Sequence, residues 1–220
     1  MTASVSEKRC VYCGVINPDS RDHIPPKGIF PKPRPNNLIT VPACKSCNRE
    51  WSSDDELFKM IIGIKAGMEG KSEIKLWEST KHTVRHNKSL RRLIEEAKRI
   101  NIKTPGGIII GDAYSVKFPD NKVRLMCDRI IRALYYHHYG NFIPVKNNVS
   151  LYFPSEPNET VLDLVCHSDE LKIIGEDREF IYTYGQAEDA KGASIWILLF
   201  YKRFLVVGIS LPPEPTASIS

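Results

Sequence analysis

The stretch that decides the fold runs from Cys10 to Asn48 and reads CVYCGVINPDSRDHIPPKGIFPKPRPNNLITVPACKSCN. Cys10 and Cys13 form one C-x-x-C pair, and Cys44 and Cys47 form a second. Between them lie Asp22-His23 and Asn37-Leu38, and Asn48 follows directly. The start of the chain, MTASVSEKRC, lacks the apolar core of a secretion signal, so a cytoplasmic setting is expected. There, paired cysteines read as metal ligands rather than as a disulfide framework. Residues 10–50 hold too few apolar side chains to fold without a staple, and zinc on four thiolates would provide one. Such a site is closed, which makes the cysteines scaffold rather than chemistry. The segment Ile24 to Pro35 is proline-rich and predicts an extended, stiff loop leading to Asn37. Leu38 to Val41 then reads as a short strand.

With the thiols assigned, Asp22, His23 and Asn48 are left to gather at a second centre. The order C-x-x-C, Asp-His, Asn-Leu, C-x-x-C-Asn resembles the HNH, or ββα-metal, endonucleases, from Cys10 to about Phe58. The resemblance implies a hydrolase that cuts phosphodiester bonds of nucleic acid, double-stranded DNA in preference to RNA. It implies one catalytic Mg²⁺ or Mn²⁺ beside a structural Zn²⁺, and products with a 5′ phosphate and a 3′ hydroxyl. The residue types suit that chemistry. A hard cation takes oxygen ligands, which Asp22 and the Asn48 carbonyl can supply. An imidazole titrates near neutrality, so His23 can act as general base. By similarity to the family, Asn37 holds the hairpin loop and orients His23.

The chain departs from the family pattern in three places, the first being Asn48, where many members carry His. Where many members carry a second His four residues after the Asn48 position, this chain has Ser52. Asp54 or Asp55 can supply the missing carboxylate, or both can simply favour the first turn of the next helix through its dipole. A proline-rich loop also replaces the usual glycine-rich turn. Each candidate has a plainer reading. His23 can be a loop histidine beside an acid, and Asn37 and Asn48 can be turn-forming or capping residues. Cys127 and Cys166 read as small buried apolar side chains. His82 and His86 read as surface, His137-His138 as flanking a helix end, and Cys166-His167 as no nucleophile pair.

The remaining chain predicts an α+β fold. A zinc-stapled ββα-metal module occupies residues 1–70, and a mixed helix and antiparallel-sheet domain occupies residues 71–220. A helix is expected from near Ser53, with Ser53 and Glu56 spaced as a capping box. Gly63, Gly67 and Gly70 weaken its far end, and residues 71–88 show no clear period. Lys88 to Ile100 is amphipathic. Ile108–Ile110 and Tyr114–Phe118 read as strands about a turn at Gly111-Asp112. Asp120 is expected to cap a strong helix with an apolar stripe of Val123, Met126, Cys127, Ile130, Ile131 and Leu134, ended by Gly140. Strands are expected at Val149–Phe153, Val161–Val165, Glu179–Tyr184, Ser194–Tyr201 and Phe204–Ile209, with the last two joined at Lys202-Arg203 and buried on both faces.

No apolar run is long enough to cross a bilayer, so no membrane partner is expected. The formal charge is +2 over residues 1–60, +9 over 61–150 and −6 over 151–220. A polyanion is therefore drawn to the middle of the chain. Lys81, Arg85, Lys88, Arg91 and Arg92 are the candidate nucleic-acid contacts, against a plainer reading as a solvated face. The acidic C-terminal part can dock a second copy or a regulatory partner, as fits a stand-alone nuclease of bacterial defence. The alternative is a zinc-stabilised nucleic-acid-binding or adaptor protein that does not cleave.

Overall fold

The computed structural model describes residues 8–144, 146–154, 171–190 and 192–212. The expected strand at Val161–Val165, the pair Cys166-His167 and the last eight residues lie outside the described residues. Strands β1 (Ser20–Ile24) and β2 (Ile39–Ala43) form an antiparallel hairpin, followed by helices α1 (Lys45–Glu50) and α2 (Ser52–Ala66). Then come α3 (Lys71–His86), α4 (Lys88–Glu95), the hairpin β3 (Lys98–Lys103) with β4 (Ile109–Ser115), and the long α5 (Asp120–Tyr139). The C-terminal part builds a five-stranded antiparallel sheet from β5 (Asn148–Tyr152), β6 (Lys172–Ile174), β7 (Phe180–Gln186), β8 (Ser194–Phe200) and β9 (Phe204–Leu211), in the order β5-β9-β8-β7-β6. The fold is a mixed α+β arrangement with the cysteine cluster near the N-terminus. Among the described residues, no helix is long and apolar enough to cross a membrane.

One core joins these parts. Ile24, Ile29 and Phe30 of the N-terminal region pack with Met126, Ile130 and Leu134 of α5 and with Trp196, Leu198, Phe200 and Val206 of the sheet. Each such side chain contributes about 1.5–3 kcal/mol by leaving water. The core crosses the boundary expected near residue 70, so both segments share one interior. The hydroxyl of Tyr201 donates to the Ile29 carbonyl at 2.6 Å and fixes the β8–β9 turn against the proline-rich loop. On the other sheet face, Ile181, Ile197, Leu199 and Leu205 form a second buried cluster, which accounts for the continuous apolar run across β8 and β9.

Several local expectations change. The capping box at Ser53 does not form: α2 starts at Ser52 without a side-chain cap, and Glu56 instead accepts from the Asn87 carboxamide at 2.7 Å. Gly63 lies inside α2 rather than at a weakened end. A Cβ there would sit 2.4 Å from Thr80 Oγ1, so the glycine permits the close crossing of α2 and α3. Residues 71–86 are helical although no apolar period showed. The buried stripe is Ser72, Leu76 and Thr80, at helical spacing but mostly polar. The amphipathic segment from Lys88 stops at Glu95, because Lys98–Lys103 alternates with period two and pairs with β4. β4 is one strand through Gly111-Asp112, and the turn falls at Pro105-Gly106-Gly107, where Gly107 takes φ +85°. The α5 stripe and its end at Gly140 are as expected, but Asp120 does not cap the helix: it is the first helical residue, Pro119 holds the cap position, and the Asp120 carboxylate accepts from Arg124 at 2.7 Å.

His138 does more than flank the end of α5. Its Nε2 lies 2.9 Å from the Tyr182 hydroxyl and its Nδ1 lies 2.8 Å from the Tyr184 hydroxyl. A neutral ring satisfies both contacts, one as donor and one as acceptor. Burial, with the nearby charges of His137 and Lys172, pushes the imidazole down to about 4. The folded state therefore holds fewer protons than the unfolded chain between its ordinary 6.5 and about 4. Stability is complete above the unfolded value and falls as pH drops through this window. Urea titrations across that window should show this slope, and His138→Phe should flatten it.

Candidate functional site

The cysteines come together because two tight turns meet across the hairpin. Cys10 and Cys13 sit on a turn in which Cys10 N–H donates to the Val15 carbonyl and Gly14 N–H donates to the Cys10 carbonyl, both at 2.8 Å. Gly14 takes φ +74°, which favours glycine. Val11 N–H bonds the Pro42 carbonyl at 3.0 Å and locks this turn onto β2. Cys44 and Cys47 lie at the start of α1, whose first N–H groups need an outside acceptor. Asp19 Oδ1 accepts from Lys45 N–H at 2.9 Å. All four sulfurs lie within 4.8 Å of one another, with Cys10–Cys44 at 3.8 Å and Cys13–Cys44 at 3.7 Å. A tetrahedron with Zn–S of about 2.3 Å has edges of about 3.8 Å. The Cys44 thiol is held down to about 6 by hydrogen bonds from the Ser46 hydroxyl and the Cys47 backbone, while burial pushes Cys47 up. Four sulfurs this close cannot all ionise without a cation, and a zinc ion fits the donor set.

The antiparallel register sorts the other candidates onto two faces. Ser20, Asp22 and Ile24 pair with Ala43, Val41 and Ile39, which are buried, so these residues face inward. Arg21 and His23 pair with Pro42 and Thr40 and face outward. α1 packs against β1: Asn48 Nδ2 donates to Ser20 Oγ at 3.0 Å and to the Arg21 carbonyl at 3.1 Å. Its Oδ1 is buried and has no partner among the described residues.

On the inner face, Asp22 meets a residue that sequence reading missed. Arg129 of α5 donates Nη2 to Asp22 Oδ2, and its Nη1 donates to Asp55 Oδ1 at 2.7 Å. The Tyr12 hydroxyl also donates to Asp22 Oδ2, at 2.5 Å. The guanidinium carbon lies 5.2 Å from the ring centres of both Tyr12 and Trp51, which are themselves 6.3 Å apart, so the cation rests against a pair of neighbouring aromatic rings. The Arg129 side chain is 2% exposed and that of Asp22 is 12% exposed. Burial pushes the Asp55 carboxyl up to about 6 against the pull of Arg129. Asp54 pairs separately with Lys122 at 2.9 Å. A clue to Arg129 was present in the sequence: it lies three residues after Met126 and four before Ala133, on the flank of the apolar stripe of α5.

The outer face is cationic. His23 is half-buried, and that burial lowers its basicity. The charges of Lys27, Arg34 and Arg21 act in the same direction against Asp22. Arg21 donates to Thr40 Oγ1 at 2.9 Å and to the Thr40 carbonyl at 3.0 Å. Arg34 donates to the Lys27 carbonyl at 3.3 Å, closing the proline-rich loop on the 3-10 turn Lys27–Ile29. Beside this loop lies a cleft of about 540 Å³ lined by the cations Lys32, Arg34 and Lys75, by Asn37, and by the acids Glu176, Asp177 and Glu179. Asn37 does not bond His23. Its Nδ2 donates to the Ile173 carbonyl at 2.8 Å, its Oδ1 accepts from Gly175 N–H at 3.3 Å, and it ties the loop to the sheet edge. Of the basic candidates, Lys81 pairs with Glu78 at 2.7 Å and Arg92 with Glu96 at 2.8 Å, while Arg85, Lys88 and Arg91 are exposed.

Two substitutions separate the roles of the inner face. Cys44→Ala should remove bound zinc and unfold the N-terminal hairpin, read as zinc stoichiometry and loss of amide protection over residues 10–48. Arg129→Met leaves Asp22 and Asp55 buried without a counter-charge and should cost about 3–5 kcal/mol in chemical denaturation while zinc stays bound.

No family model matches the chain, no curated protein matches it, and no solved structure matches it, so the four-thiol cluster and the two faces of the hairpin carry the functional reading.

Proposed function

We propose that this protein is an HNH-type endonuclease that hydrolyses phosphodiester bonds, with His23 as general base. The observation that carries this reading is the outer face of the zinc-stapled hairpin. There a half-exposed imidazole feels the charges of Lys27, Arg34 and Arg21, and Arg34 also lines the neighbouring cleft. A neutral His23 can take a proton from water as the water oxygen attacks phosphorus. The P–O3′ bond then breaks, the leaving oxygen gains a proton, and the cut strands end in a 5′ phosphate and a 3′ hydroxyl. The surrounding cations neutralise the phosphate that would otherwise repel the nucleophile. The order of Asp-His, Asn and the two C-x-x-C pairs supports the same reading.

The catalytic Mg²⁺ or Mn²⁺ implied by the resemblance does not fit the carboxylates as they stand. Asp22 and Asp55 face a guanidinium, and Asp22 Oδ1 accepts from the His23 backbone N–H at 2.9 Å. Of the three expected ligands, Asn48 alone presents a buried oxygen without a partner among the described residues. The same engagement of Asp22 and Asp55 favours the second reading, a zinc-stabilised nucleic-acid-binding protein that does not cut.

Supercoiled plasmid incubated with the protein, in Mg²⁺, in Mn²⁺ and in EDTA, decides between them. The nuclease reading expects nicking that His23→Ala reduces by at least about 10²-fold, the usual scale for losing a general base, with thermal stability and zinc content unchanged. Binding without nicking under every condition would establish the second reading.

A further inference from the structure

The cations around the proline-rich loop form one connected array. Lys59 of α2 donates Nζ to Ser79 Oγ at 2.8 Å, to the Ser79 carbonyl at 3.0 Å and to Thr83 Oγ1 at 2.7 Å, which pins α3 beside the loop. On its other side, Lys59 Cδ lies 3.7 Å from where a Cβ on Gly28 would be, so the lysine lies under the 3-10 turn. Arg34 bonds the Lys27 carbonyl on that turn, and it shares the wall of the cleft with Lys75 of α3. Arg34 thus stands between His23, Lys27 and the α2–α3 pair. Asn37 and the Tyr201 hydroxyl anchor the loop at two more points, so the array is held rather than floating.

We propose that Arg34, with Lys27, Arg21 and Lys75, is the cradle that seats the sugar–phosphate backbone of nucleic acid beside His23. This rests on the phosphodiester reading of His23 and adds the residues that hold the substrate. The cradle lies on β1, the hairpin loop and the N-terminal half of α3, and not on the Lys81–Arg92 segment. Charge sets its direction. Glu176 and Asp177 line the same cleft, are exposed and repel phosphate, so the backbone keeps to the cations of the loop and α3. Contacts of this kind position the strand without reading bases.

Fluorescence anisotropy with a short labelled DNA duplex, measured over a salt series, tests the cradle without requiring cleavage. Arg34→Gln should weaken binding several-fold and reduce the magnitude of the salt slope by about one, as for loss of one phosphate contact. Glu176→Gln should tighten binding. Lys103→Gln, the same change of charge on the exposed β3–β4 hairpin, should change binding little. Arg34 is exposed, and zinc content together with circular dichroism confirms that its variant folds. Equal losses for Arg34→Gln and Lys103→Gln would overturn the cradle, as would an unchanged salt slope in Arg34→Gln. Binding that depends on Arg34 in a protein that never nicks DNA would support the cradle while removing the hydrolase reading.

Discussion

A single buried guanidinium ties the molecule together. Arg129 reaches from α5 to Asp22 on β1 and to Asp55 in the first turn of α2, and it rests against two neighbouring aromatic rings. A charge removed from water is tolerated when geometry and counter-charge replace its hydration, and here two carboxylates and two π-faces do so. The Arg129 pair joins the hairpin to α5 alongside the apolar interior that spans residues on both sides of position 70. Tyr12 adds the first cysteine turn to the same network through its hydroxyl on Asp22. The metal-binding cluster and the C-terminal helix are therefore linked by three hydrogen-bonded residues.

The hairpin divides labour between its faces because strand side chains alternate. The four-sulfur cluster at one end and the Arg129 network within make the inner face a structural element. The outer face, with Arg21, His23 and the loop that follows, points away from that network. The proline-rich loop suits this arrangement. Its prolines cannot enter a sheet, and side-chain bonds from Asn37 and Tyr201 fasten it at both flanks. A stiff loop anchored in this way loses little freedom when a ligand binds.

Much of the fold was legible. Cys10, Cys13, Cys44 and Cys47 announced their cluster by spacing, α5 by an apolar stripe with a terminal glycine, and β8 and β9 by their length and tight turn. Elements escaped where burial used polar residues. Ser72 and Thr80 face the core in α3, so the helix showed no apolar period. The boundary between α4 and β3 escaped because Ile100 and Ile102 also fit a helical face until Lys98–Lys103 is read with its partner. The candidate site was legible in its residues but not in its partners. Sequence spacing brings Asp22, His23 and Asn48 near one another, yet Arg129 is 107 positions from Asp22 and Ile173 is 136 positions from Asn37. Long-range ion pairs and side-chain-to-backbone bonds leave no local period to detect.

The central claim is that Asp22 and Arg129 interact with each other, beyond what each does separately. A double-mutant cycle with Asp22→Asn and Arg129→Met, read by urea denaturation of the zinc-loaded protein, measures that coupling directly. The two substitutions should be strongly non-additive, with a coupling of about 1–3 kcal/mol. Additive losses would show that the two residues stabilise the fold independently, and the account of a hairpin held by one guanidinium would fail.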